Sequence, residues 1–255
     1  MYKSVIKRIF DLIFSGVAIV ILAIPMLVVA VAIKIDDPGP VFFRQRRVGK
    51  KKNGELTYFM MWKFRSMKMS TPKDVPTHLL ENPEQYITRV GKIIRKTSID
   101  ELPQFYQVFC GKLSLVGPRP ALWSQDDLVS EREKYGANDV LPGITGWAQI
   151  NGRDELEIPV KARFDGEYAK AINGGGLEGF KMDLTCFFGT FVKVLKSDGV
   201  VEGGTGNLKK QDGIIPSANT GSFAPLVSSK VGASLVSCIV VISLLPLFNT
   251  TSLFT

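Results

Sequence analysis

The chain is almost without histidine. Its single one, His78, lies in a proline-containing stretch and reads as a solvated surface residue. With no second histidine, Ser-His relays and zinc-histidine centres have nothing to form from. Any acid/base or nucleophilic work then falls to carboxylates or lysines. Cysteine is scarce too. Cys110, Cys186 and Cys238 are far apart and odd in number, which gives neither a disulfide framework nor metal-ligand spacing. That usage suits a cytoplasmic catalytic portion. Some nucleotide-handling signatures are missing as well: no G-x-x-x-x-G-K-[ST], and no D-x-D of the kind that binds metal in many nucleotide-sugar glycosyltransferases. The adjacent pairs Asp36-Asp37 and Asp126-Asp127 read instead as turn or cap residues. No internal repeat is visible.

Basic charge, by contrast, is plentiful and concentrated. Of the net +8 on 255 residues, residues 1–70 carry 13 Lys/Arg against 4 Asp/Glu, so the remainder is close to neutral. Within that basic region residues 12–33 hold no charge at all. A basic excess beside an apolar run points to an anionic membrane surface, and nucleic acid is the weaker reading of the same charge. As a helix the run is roughly 33 Å long, enough to cross a bilayer. It is too long for a cleaved signal peptide and has no small-residue cleavage site.

Two features complicate a simple span. Pro25 removes the bond to the Ile21 carbonyl and is expected to kink or break the helix. Both flanks are basic: Lys3, Lys7 and Arg8 before the run, and Lys34, Arg44, Arg46, Arg47 and Lys50 to Lys52 after it. The positive-inside tendency wants both flanks in the cytoplasm. A helix broken at Pro25 that re-emerges on the side it entered satisfies both. A Pro-kinked spanning helix is the alternative that charge and proline leave open.

Beyond the turn-rich Asp36-Asp37-Pro38-Gly39-Pro40, the pattern predicts a hairpin: residues 41–43, a turn at 49–54, then 56–61. Residues 70–85 read as a loop. Residues 86–96 are helical in period, with Ile87, Val90 and Ile94 on one face; a helix lying in a membrane interface and a surface helix packed on a core both fit. Residues 182–196 form a second such candidate. Helices are also expected over 102–110, 124–135 and 161–172, with a flexible exit at 199–206.

The stretch richest in chemistry is Thr97-Ser98-Ile99-Asp100-Glu101-Leu102-Pro103-Gln104. It reads as a helix start, with either Ser98 as the N-cap of a capping box closed by Glu101, or Asp100 as N-cap with Pro103 in the tolerated first turn. Either way Asp100 lies near a helix N-terminus, which attracts phosphate. An acidic pair there needs a cation if phosphate also binds, and Mg²⁺ with oxygen ligands is the usual one. Two prolines hold Arg119 on a stiff turn in Leu115-Val116-Gly117-Pro118-Arg119-Pro120, which suits bidentate phosphate contact. Another cluster runs from Pro142-Gly143-Ile144-Thr145-Gly146-Trp147 to Gly152-Arg153, and Lys63 and Arg65 lie in Trp62-Lys63-Phe64-Arg65-Ser66-Met67. Taken singly, each of these arginines is more often a surface ion-pair partner.

Together these stretches resemble the bacterial sugar transferase family, the small monotopic polyprenyl-phosphate phosphoglycosyl transferases. Lys7-Arg8-Ile9-Phe10-Asp11 stands before the apolar run, and Pro38-Gly39-Pro40-Val41-Phe42-Phe43-Arg44-Gln45 with Arg47-Val48-Gly49 after it. Lys63-Phe64-Arg65-Ser66-Met67, Asp100-Glu101-Leu102-Pro103-Gln104, Val116-Gly117-Pro118-Arg119-Pro120 and Pro142-Gly143-Ile144-Thr145-Gly146-Trp147 follow in family order. The resemblance covers roughly residues 5–200. It implies a mostly helical α+β fold: a monotopic membrane protein with a Pro-broken re-entrant N-terminal helix, interfacial amphipathic helices and a small β-hairpin. It implies that Asp100 is a nucleophile with Glu101 as acidic partner, Mg²⁺ between this dyad and a diphosphate, and substrate-phosphate roles for Lys63, Arg95, Arg119 and Arg153. Many small members carry a hydroxyl residue before the membrane proline. Here the position is Ile24, which offers none to the freed carbonyl.

The expected organisation is a membrane helix over 1–35, a catalytic domain on the cytoplasmic face over 36–206, and a tail over 207–255. The tail's apolar segment, 231–248, suits a membrane helix, with an interfacial or buried helix as alternatives. The expected reaction passes a sugar-1-phosphate from a UDP-sugar to a polyprenyl phosphate at the bacterial inner membrane. An oligomer or downstream glycosyltransferases are the protein partners such an enzyme would meet. A membrane phosphohydrolase using the same aspartyl intermediate is the rival enzyme, and a basic membrane scaffold of a polysaccharide assembly complex is the rival without catalysis.

Overall fold

The computed structural model describes residues 2–71, 83–152 and 156–195. The loop expected at 70–85, His78, Arg153 and the apolar segment 231–248 fall wholly or mostly outside them. Helices dominate, with two small two-stranded sheets, as the α+β expectation has it.

Helix α1, Lys7–Asp36, follows a short π-helical turn at Tyr2–Ile6. It is long and apolar enough to cross a membrane. At Pro25, where a kink or break is expected, the helix continues without interruption. Proline forfeits one hydrogen bond but already has helical φ, and here packing on both sides holds the helix together. Ala18 and Leu22 before it, and Ile33 after it, are buried in the main core, with Met26, Val29 and Ala30 packed alongside. The opposite face, with Val20, Ile21, Ile24, Leu27, Val28, Val31 and Ile35, is exposed.

Strands β1 (Phe42–Val48) and β2 (Tyr58–Phe64) form the hairpin, antiparallel and in register from Phe42 opposite Phe64 to Val48 opposite Tyr58. It reaches further than the alternation predicts because Arg44 and Arg46 lie over the rings of Trp62 and Tyr58, letting charged positions stay in the ladder. Helix α2 (Arg89–Lys96) and helix α3 (Gln104–Phe109) come next, then β3 (Ser114–Val116), α4 (Asp126–Glu133), β4 (Gly143–Thr145), α5 (Trp147–Ile150), α6 (Ile158–Gly174) and α7 (Gly176–Leu195). Strands β3 and β4 pair in parallel. One core runs from Tyr2 and Leu22 through Phe64, Leu102, Phe105 and Leu113 to Tyr168, Ile172 and Cys186, so α1 shares its interior with the rest.

Candidate active site

Asp100 and Glu101 do not start a helix by either of the expected caps. They occupy a 3-10 turn, Ile99–Glu101, entered through Ser98 in the left-handed region at φ 53°. Ser98 makes no side-chain cap, and Pro103 occupies the position just ahead of α3, where its missing N–H costs nothing. The reversal at Ser98 folds the dyad back under α2. Leu102 and Phe105, each 1 % exposed, anchor the turn from behind.

The turn points both carboxylates into the protein, leaving Asp100 5 % and Glu101 6 % exposed. Lys63 on β2 reaches between them, its Nζ 2.8 Å from Glu101 Oε1 and 3.7 Å from Asp100 Oδ2. Arg119 Nη2 lies 3.4 Å from the same Glu101 oxygen. Residues from three separate stretches of the sequence therefore converge, as the resemblance implies. Arg95 sits half-buried in the last turn of α2, five positions before Asp100. Arg65 does not join the cluster: it is buried in an ion pair with Asp37. Asp36 Oδ2 accepts the Val90 N–H and Asp37 Oδ2 the Met69 N–H, so this acidic pair caps backbone, as its adjacency suggests.

Local sequence explains why these pieces can approach. A Cβ on Gly91 would lie 2.0 Å from the Ser66 carbonyl oxygen, so only glycine lets α2 lie against the chain leaving β2. Gln107 of α3 bonds both ways to the edge of β2, accepting from Trp62 N–H at 2.9 Å and donating to Met60 C=O at 2.6 Å. The motif around Gly143 meets the one around Gly117 backbone to backbone. Gly117 N–H donates to Thr145 C=O at 2.7 Å and Gly143 N–H to Pro118 C=O at 2.9 Å. The third cluster of the sequence is thus the shelf on which the Arg119 turn rests.

Residues given no role in the sequence reading also hold this shelf, Asp11 and Lys7 of the motif before the apolar run among them. Asp11 of α1 accepts from Leu115 N–H at 2.9 Å and from the Ser114 hydroxyl at 3.0 Å, fixing β3. The Tyr168 hydroxyl lies 2.8 Å from both the Val116 carbonyl and Asp183 Oδ1. Burial and the neighbouring Asp183 carboxylate push that phenol well above its usual range, so it stays a proton donor. Lys7 and Tyr2 also bond to Asp183, tying the foot of α1 to α7.

The chain matches the family described as bacterial sugar transferase over residues 2–197. It belongs to that family. Among similar proteins, the Escherichia coli UDP-glucose:undecaprenyl-phosphate glucose-1-phosphate transferase is 38 % identical over 66 % of this chain and 37 % of its own length. The exopolysaccharide production protein PSS of Rhizobium leguminosarum is 38 % identical, covering 75 % of this chain and 96 % of its own. The uncharacterized sugar transferase EpsL of Bacillus subtilis is 37 % identical, with 77 % and 90 % covered. The chain therefore spans little more than a third of the larger relative and most of the smaller ones. Within this bacterial sugar transferase, the Asp100–Glu101 turn, Lys63 and the Arg119 shelf form one buried, charged cluster.

Proposed function

We propose that the protein is a phosphoglycosyl transferase that moves sugar-1-phosphate from a UDP-sugar to polyprenyl phosphate, in particular undecaprenyl phosphate, and releases UMP. The observation that carries this reading is the burial of two adjacent carboxylates against Lys63 and Arg119 in a chain of this family. The names of relatives point the same way: the E. coli protein acts on UDP-glucose and undecaprenyl phosphate, and one from Aeromonas hydrophila on the N-acetylgalactosamine counterpart.

The chemistry has two steps. A carboxylate oxygen of Asp100 attacks the phosphorus that bears the sugar. The bond from that phosphorus to the bridging oxygen breaks, UMP leaves with the oxygen, and a phosphosugar–aspartate remains. An oxygen of the lipid phosphate then attacks the same phosphorus, the bond to Asp100 breaks, and the free carboxylate returns. Lys63 and Arg119 neutralise charge on the non-bridging oxygens, and Arg119 offers a two-toothed fork to do so. Glu101 holds both cations in place through one oxygen. Arg95 and Arg153 are further candidates for phosphate contact.

Asp100 and Glu101 fit Mg²⁺: they supply hard oxygen donors side by side, and this ion takes its remaining ligands from water and substrate phosphates. When bound, it adds positive charge at the phosphoryl oxygens.

The exposed apolar face of α1 and the basic flanks favour a site at headgroup depth on the cytoplasmic face of the bacterial inner membrane, where the lipid phosphate already lies. The reaction would open assembly of an exopolysaccharide, capsule, O-antigen or glycoprotein glycan. The test is purified full-length protein with Mg²⁺, undecaprenyl phosphate and a panel of UDP-sugars. UMP and polyprenyl-diphosphate-sugar are expected together. Free sugar phosphate without glycolipid would assign a phosphohydrolase instead.

A further inference from the structure

The turn Pro118-Arg119-Pro120 has a structural difficulty. Two of its three residues have no N–H, so it can donate little to its own support. Its carbonyls are held from outside instead. Pro118 C=O accepts from Gly143 N–H at 2.9 Å, and Pro120 C=O from Arg47 Nη1 at 3.0 Å. Arg119 C=O accepts from Arg132 Nη2 at 3.0 Å. Arg132, on α4, is 4 % exposed, and its Nε and Nη2 are bound to Asp165 Oδ2 on α6 at 2.8 and 2.6 Å. Asp165 is 1 % exposed.

A buried ion pair is poor evidence of stabilisation, because desolvating both charges costs about what their attraction returns. This one has a second use. The guanidinium that Asp165 orients spends a further N–H on the backbone of the residue whose side chain points at Glu101. We infer that Arg132, held by Asp165, is a positioning residue that fixes the backbone of Arg119 so that its side chain meets a substrate phosphate. The inference rests on the proposed phosphate role of Arg119. Arg132 touches no substrate itself: it transmits the packing of α4 on α6 to the turn, and a shift of about 1 Å in such a turn is enough to spoil a charge-assisted contact.

The experiment is a double-mutant cycle on UDP binding, by titration calorimetry of the full-length protein with Mg²⁺, with thermal midpoints followed in parallel. Arg132→Lys keeps the charge beside Asp165 but removes the fork that spans Asp165 and the Arg119 carbonyl. Arg132→Met with Asp165→Leu removes the pair in favour of apolar side chains, a replacement that buried pairs often tolerate, and guards against loss of the fold from a stranded charge. Arg119→Ala is expected to weaken UDP about tenfold. Either change at 132 should cost nearly as much in the wild-type background and less than about twofold once Arg119 is alanine. Losses that multiply in the combined variants, or a lowered midpoint with UDP affinity untouched, would overturn the positioning role and leave the phosphate role of Arg119 standing. Unchanged affinity in Arg119→Ala would overturn both.

Discussion

Asp100, the proposed nucleophile, is buried beside Lys63 and Glu101. Lys63 stands 3.7 Å from it, while its closer contact is to Glu101. Asp100→Asn preserves shape and removes the attacking charge. Turnover should fall at least about a hundredfold, equivalent to about 2.7 kcal/mol of barrier. The thermal midpoint should stay close to wild type, and UMP release under steady state measures the loss. Glu101→Gln should also be severe, because one Glu101 oxygen carries both Lys63 and Arg119. Arg119→Lys keeps the charge but loses the planar fork. A large fall in turnover with membrane binding intact is expected; wild-type rates would reduce Arg119 to a structural residue.

Between elements, the most demanding contact is glycine on glycine. A Cβ on Gly143 would sit 2.1 Å from Gly117 N, and one on Gly146 would sit 2.2 Å from the Gly117 carbonyl oxygen. Both clashes are with backbone, which cannot swing aside. Gly143→Ala should destabilise the fold by on the order of 3 kcal/mol, a loss that overpacking of a rigid contact produces, and a lowered thermal midpoint would show it. This contact also shows what was legible in the sequence. The dyad, Lys63 and Arg119 stand on short motifs whose order carries them, and the structure brings them together. The helix starts expected at Ser98 or Asp100 give way to a 3-10 turn entered through a left-handed Ser98, a conformation that local sequence does not announce. At Pro25 local propensity argues for a kink or break, and the helix nonetheless continues through it, packed along one face on the core. Arg132 and Asp165, 33 positions apart, left no trace because their pairing exists only once α4 lies on α6.

For the molecule as a whole, residues on either side of α1 in the sequence contact one neighbouring stretch. Lys3 donates to Asp139 C=O at 3.4 Å and also bonds to Asn173. Lys51 N–H donates to Asn138 C=O at 2.8 Å, and its side chain pairs with Glu133. The stretch 138–139 thus contacts both Lys3, ahead of α1, and Lys51, beyond β1, and a seat with both flanks on one side of the membrane is the topology we propose. The exposed side of α1 is long, apolar and unbroken. Each large side chain moved from water to hydrocarbon contributes about 1.5–3 kcal/mol when fully buried, so this face alone favours a bilayer by on the order of 10 kcal/mol. Single cysteines at Lys3 and Lys51, in a chain freed of its own cysteines, should therefore react identically in intact cells and become labelled only after permeabilisation. Labelling of one position from outside would contradict a monotopic seat.

The central claim is that Asp100 carries the phosphosugar between the two substrates, and one measurement addresses it directly. The enzyme is mixed with its UDP-sugar and Mg²⁺ without any lipid phosphate, quenched, digested and weighed by mass spectrometry. The account predicts up to one equivalent of UMP released and the mass of a phosphosugar gained on the peptide containing Asp100, both abolished in Asp100→Asn. No UMP until lipid phosphate is added would mean direct transfer in one step, and a phosphosugar trapped on any other residue would remove Asp100 from the role of nucleophile.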